Sequence, residues 1–136
     1  MSGIIVQQAK KIRDHITILP ADDGREALEF DFELEPERII GRTQQALAAL
    51  ENAQNLVVKN PKSDELLTAY GNAVIALFSL LFGEENTAAV LEFYENRFAD
   101  MLADLLPVIT DQIMPRLREA SKAKAERLKA AAGDRA

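Results

Sequence analysis

The side chains able to do chemistry in this 136-residue chain are few and scattered. His15 is the single histidine, and its neighbour Asp14 is adjacent only in sequence. A general base needs an orienting partner on another element, so His15 reads as a partly exposed residue ahead of a strand. The serines are Ser2, Ser63, Ser79 and Ser121, and none sits in a G-x-S-x-G elbow. Glu92-x-x-Glu95 is half of a paired-carboxylate pattern that could hold Mg²⁺ in an all-α nucleotide pyrophosphatase. Completing an oxygen-only site takes a second such pair on the next helix. Asp100, Asp104 and Asp111 are not spaced three apart, so these acids read as a solvated face. Asp22-Asp23-Gly24 lacks the other ligands of an EF-hand loop and reads as a tight turn. No catalytic residue, cofactor or metal is expected. With no cysteine, disulfides and thiolate metal sites are excluded.

The elements around these residues are clearer than the chemistry. Leu66–Gly83, LLTAYGNAVIALFSLLFG, carries no charge in a protein that is 28% charged. Asp64-Glu65 and Glu84-Glu85 flank it. Its apolar residues cover nearly the whole helical circumference, which suits a central core helix or a membrane span. The seventeen residues Leu66–Phe82, with acidic flanks and no basic anchors, favour the core.

Before it, residues 4–15 read as a short helix or an irregular arm, and Ile16–Leu19 as a short strand. Asp23-Gly24 makes a turn. Ala27, Leu28, Phe30, Phe32 and Leu34 alternate with Glu29, Asp31, Glu33 and Glu35, a strand with one apolar and one acidic face. That acidic face must be wet or opposed by basic groups. Pro36 suits a first helical turn, and Ile39, Ile40, Thr43, Leu47, Leu50 and Ala53 carry a helix to about Leu56. Asn60-Pro61 ends it, and Ser63 or Asp64 starts the next helix.

After Gly83, a helix starts at Asn86 or Thr87, with Val90, Leu91, Tyr94, Phe98, Met101, Leu102 and Leu105 on one stripe. Phe93 falls on the polar side near Asn96 and Asp100, where an aromatic can anchor an interface. Pro107 breaks or kinks the path, and Val108, Ile109, Ile113 and Leu117 continue it. The expected fold is mainly α, with about four helices and a small N-terminal β-hairpin. Residues 1–117 form one domain and 118–136 a charged, partly exposed helical tail.

Charge is uneven. Residues 1–115 hold 9 basic and 19 acidic side chains, and residues 116–136 hold 7 basic and 3 acidic. An acidic body repels phosphates, and the tail has no aromatic for stacking on bases, so no nucleic-acid partner is expected. The basic tail can meet an acidic surface, including that of a second copy. Partner contacts are therefore expected at Phe82, Phe93, Arg97, Arg116, Lys122 and Lys124. The N-terminal apolar run, Ile4-Ile5-Val6, precedes its basic residues, so it does not read as a signal peptide, and a cytoplasmic location is expected.

The order of features resembles a known family. EALEFDFEL runs straight into a helix, an apolar helix ends in LLFGEEN, and VLEFYENRFADMLADLLPVI follows before a charged helical tail. This is similar to the small tail assembly chaperones of long-tailed phages and prophages in Gram-positive bacteria. LFGEENTAAVLEFYENRFADML carries most of the resemblance. It implies a non-enzymatic, mostly helical protein of the bacterial host cytoplasm that self-associates and binds the tape-measure protein. It offers no catalytic residues. The competing readings are a Mg²⁺-dependent nucleotide pyrophosphatase and a helical scaffolding or regulatory module.

Overall fold

The computed structural model describes residues 3–8 and 11–133. Two antiparallel strands, β1 (Ile12–Ile18) and β2 (Leu28–Leu34), pair in register from Ile12–Leu34 to Ile18–Leu28. The helices are α1 (Pro36–Lys59), α2 (Asp64–Phe82), α3 (Glu84–Phe93), α4 (Phe98–Pro107) and α5 (Met114–Gly133). A π-helical segment, Val108–Ile113, joins α4 to α5 without a break. The molecule is thus mainly α with an N-terminal hairpin, as expected. Its helical bodies are α1, α2, α3 and the α4–α5 rod.

β1 begins earlier than the expected Ile16. Of the expected arm, residues 12–15 belong to the strand, residues 4–8 and 11 are irregular, and residues 9–10 lie outside the described residues. The apolar face of β2 (Phe30, Phe32, Leu34) is buried, and β2 packs on α2 and α3. The two-stranded sheet needs this support, because a lone hairpin is marginal in water.

α1 starts at Pro36, whose missing N–H costs nothing in a first turn. It ends where the Asn60 N–H bonds the Leu56 and Val57 carbonyls. Ser63 Oγ accepts from the Leu66 N–H and caps α2. Gly83, at φ +87, turns the chain from α2 directly into α3. Asn86 Nδ2 donates to the Phe82 carbonyl at 2.9 Å and to the Asp31 carbonyl at 3.0 Å, tying this corner to β2.

Val74, Leu77, Phe78, Leu81 and Phe82 of α2 form the centre of the core. Phe30, Phe32, Leu50, Val90, Met101, Leu105, Ile109 and Leu117 close around them. The two buried threonines are satisfied locally: Thr43 Oγ1 donates to the Ile39 carbonyl at 2.8 Å and Thr87 Oγ1 to the Gly83 carbonyl at 2.7 Å. By length and composition α2 could cross a membrane. Its C-terminal part acts as the expected hub, packing against α1, α3, α4 and β2. Its first two turns do not: no α2 residue before Gly71 is buried. Apolar positions run nearly round the helix, yet its first turns stay partly or fully exposed, because the distal ends of α1 and α2 pack mainly on each other and Phe98 of α4 reaches them at Tyr70.

Two further expectations change. The helix expected from 86 to 105 is broken at residues 94–97 into α3 and α4. Pro107, expected to break or kink the path, does not break it. The widened π turn lies between Pro107 and Pro115, each of which removes one N–H from the ladder, and the chain runs on.

Candidate partner-binding site

α3 ends in a Schellman-type turn. The Asn96 N–H bonds the Leu91 carbonyl at 2.9 Å, and the Glu95 N–H bonds the Glu92 carbonyl at 3.0 Å. The left-handed position of such a turn normally holds glycine. Here Glu95 (φ 54) and Asn96 (φ 61) fill it in succession. The reversal throws Phe93 and Tyr94 to one side of α4. Phe98, Met101 and Leu102 then re-enter the packed stripe.

An open crevice of about 290 Å³ lies between this turn and the connection from β1 to β2. Leu19 and Arg25 line it from the hairpin side, and Phe93, Tyr94 and Arg97 from the helical side. Arg25 covers part of Phe93. Its guanidinium lies 4.9 Å from the ring centroid, and Nη2 donates to the Phe93 carbonyl at 3.3 Å. Phe93 meets Tyr94 edge to face at 5.7 Å. The buried Tyr94 donates its hydroxyl to Asp104 at 2.9 Å. Burial and then the Asp104 carboxylate hold that hydroxyl protonated far above its ordinary range. Arg97 pairs with Asp100 at 3.5 Å. Leu19, 77% exposed, stands open on the rim. The crevice therefore offers an aromatic floor, an aliphatic edge and charges of both signs.

The other expected contact residues separate. Phe82 is a core residue, 5% exposed, with its ring 5.4, 5.1 and 5.7 Å from those of Phe30, Phe32 and Phe78. It cannot meet a partner while the domain is folded. Phe93 is half-buried and does not point freely into solvent as expected, because the hairpin reaches over it with Arg25. Phe93 and Arg97 do come together in the crevice. Arg116 is spent within the chain on Asp14 of β1. Lys124 reaches Glu37 at the start of α1, at 3.4 Å. Lys122 is exposed and pairs with no acid among the described residues. The start of the expected tail thus docks on its own domain, and Leu117 of α5 is buried. Residues 134–136 of that tail lie outside the described residues.

The acidic face of β2 is opposed by basic groups. Lys11 pairs with Glu33 at 3.1 Å and Glu35 at 3.2 Å, Arg13 with Glu33 at 3.4 Å, and His15 Nδ1 lies 2.6 Å from Asp31. The Asp31 carboxylate raises the His15 pKa, and Glu33 and Glu35 raise that of Lys11. Asp14 is held below its usual range by the His15 backbone N–H and then by Arg116. This is a surface ladder of ion pairs, and each rung contributes little stability alone.

The carboxylates do not assemble a cation site. Glu92 lies on α3, while Glu95 lies past its end with left-handed backbone, so the pair does not share a helical face. Among the described residues no three acids or histidines converge.

Leu19 and Arg25 were not foreseen at this surface. Leu19 closes the β-branched run before Pro20, which made it read as a strand residue. Arg25 sits in a turn, and only the fold brings it to Phe93, 68 residues away. Compared with protein-family models, curated proteins and solved structures, the chain matches none.

Proposed function

We propose that this protein is a non-enzymatic assembly chaperone of the phage-tail type. It self-associates and holds apolar helical segments of a tape-measure protein in the bacterial cytoplasm while a tail assembles. One observation carries the reading. The chain fills its core with every buried polar side chain among the described residues satisfied, yet leaves large hydrophobics open in separate blocks. Such blocks mark surfaces that meet other chains. The crevice at Leu19 and Phe93 suits the client. An aliphatic side chain of an amphipathic helix enters beside Phe93 and Leu19, while Arg25, Arg97 and Asp100 meet the polar flanks of that helix. The separation of Glu92 from Glu95 favours this reading over a Mg²⁺-dependent pyrophosphatase.

The test is co-expression with the tape-measure chain of the same genetic element. The protein should keep that chain soluble and co-purify with it, and Leu19→Asp should reduce the recovered client at least tenfold without changing the far-UV spectrum. Recovery of a small folded partner in place of a long helical one would support the scaffolding or regulatory reading instead. Insolubility of the tape-measure chain in the presence of the wild-type protein would overturn the proposal.

A further inference from the structure

The turn between α3 and α4 is strained, and no residue in it calls for a turn. From Glu84 to Leu106 the chain has neither glycine nor proline. Val90, Tyr94, Phe98, Met101 and Leu105 keep one helical stripe straight across the break. Glu95 and Asn96 nevertheless hold left-handed backbone in succession, where a β-carbon is crowded at each position. Both are exposed. Local sequence therefore favours one helix from Glu84 to Pro107, and tertiary contacts impose the bend.

Those contacts join the α4–α5 rod to the body formed by the hairpin, α1, α2 and α3. Met101, Leu105, Ile109 and Leu117 enter the shared core. Arg116 meets Asp14 of β1, and Lys124 meets Glu37 of α1. Each of these partners lies far from the hinge in sequence, so an identical rod from another copy would satisfy them equally. The Tyr94–Asp104 hydrogen bond would pass to that copy as well, since ten residues of continuous helix span about 15 Å. What is given up is the turn itself. In it the Arg97 N–H bonds the Tyr94 carbonyl, and Arg25 Nη2 donates to the Phe93 carbonyl at 3.3 Å. A continuous helix offers that Phe93 carbonyl to the Arg97 N–H instead. Arg25 is thus the latch of the closed turn.

We infer that residues 94–97 are a hinge through which two copies exchange their α4–α5 rods. Glu84–Pro107 becomes one helix in each copy, and each rod packs on the body of its partner. A second copy is the occupant because the body already fits that rod residue for residue. The exchange is reciprocal, so it closes a two-fold dimer, and relief of the strained hinge in both copies favours it. The inference rests on the self-association in the proposed function and gives that association its structural form.

Carbodiimide coupling reads the exchange in the wild-type chain. Lys124 Nζ lies 3.4 Å from Glu37, across the hinge, so the amide formed there is within one chain in a closed monomer and between chains in the exchanged dimer. Unlabelled and heavy-nitrogen chains, mixed in urea and refolded together, should sediment at twice the 15.1 kDa chain mass. Their Glu37–Lys124 peptides should pair light with heavy halves. Glu95→Ala with Asn96→Ala should lower the dimer Kd roughly tenfold or more, and Glu95→Gly with Asn96→Gly should raise it by a similar factor, because alanine favours the helix and glycine the left-handed turn. A turn with a purely local role would alter the stability of these variants and leave the dimer Kd alone. Dimers that yield only same-isotope Glu37–Lys124 peptides, or a Kd unmoved in both variants, would overturn the exchange while leaving self-association standing. Monomers throughout, the alanine variant included, would overturn both, and client binding would then stand or fall on the co-purification alone.

Discussion

The ring of Phe98 rests on the bare backbone of Gly71. A β-carbon at position 71 would stand 3.1 Å from Phe98 Cε2 and 3.2 Å from Cζ. Phe98 opens α4, directly after the left-handed turn, and also meets Tyr70 edge to face at 6.4 Å. This contact fastens the start of the α4–α5 rod to α2. Glycine in the middle of a helix is unfavourable by roughly 1 kcal/mol against alanine, and the close approach of Phe98 accounts for it here.

Gly71→Leu should therefore overpack the α2–α4 contact and lose about 1–3 kcal/mol. Gly71→Ala should stay within about 1 kcal/mol of wild type, because the gain in helix propensity offsets a small tilt of the half-buried Phe98 ring. Urea denaturation of the three proteins checks both. Equal stability of wild type and Gly71→Leu would mean that the approach is not tight.

The left-handed turn leads to a stabilising substitution. Glu95 is exposed, and its backbone sits at φ 54, where a β-carbon costs roughly 1 kcal/mol or more. Glu95→Gly should raise stability by about 1 kcal/mol, and Glu95→Val should lower it, because a β-branched residue is least tolerated at positive φ. Thermal melting of both variants decides it, with opposite shifts expected. A destabilised Glu95→Gly would show that the side chain has a role beyond its backbone position.

The hairpin ladder makes a statement about pH. The His15 pKa is raised above its ordinary 6.5 by Asp31, so the stabilising charge is fully present below about 6.5 and is lost as pH rises through the folded value. Asp14 and Glu35 are shifted down, so their contribution is present above the ordinary carboxylate range and is lost as pH falls through their folded values. The ladder is complete only in the window between. Titration of the His15 ring by NMR should give a midpoint above 6.5, and Asp31→Asn should bring it down. An unchanged midpoint in Asp31→Asn would assign the shift to another group.

The sequence made some of these features plain and concealed others for physical reasons. β2 was legible because its two faces differ so strongly. β1 was legible only in part, because Asp14 interrupts the alternation of Ile12, Ile16 and Ile18. That carboxylate shares a face with apolar residues because Arg116 meets it from α5, a partner no local window contains. The break between α3 and α4 has no glycine or proline to announce it. Asn96 tolerates left-handed backbone, but Glu95 does not suggest it. Phe82 and Phe93 were both read as outward. Nothing local distinguishes an aromatic at a helix end that closes a core from one that meets a partner. In Phe82 the deciding neighbours are Phe30 and Phe32 on the hairpin. In Phe93 the deciding neighbour is Arg25, in a turn that periodicity does not place.

The clasp between Arg116 and Asp14 joins residues 102 positions apart, and Lys124 and Glu37 are 87 apart. α1 and α2, by contrast, are neighbours in sequence joined by a short turn. During synthesis the α1–α2 hairpin can therefore form early, while the residues that cover its core face, from Met101 to Leu117, are still inside or just leaving the ribosome. Closure of the long loop between the strand and α5 comes late, since distant contacts repay the entropy of loop closure only once both ends are present. For that interval the nascent chain displays Val74, Leu77 and Phe78 to the cytosol, so a protein proposed to shield the apolar segments of others is itself briefly a chain in need of shielding.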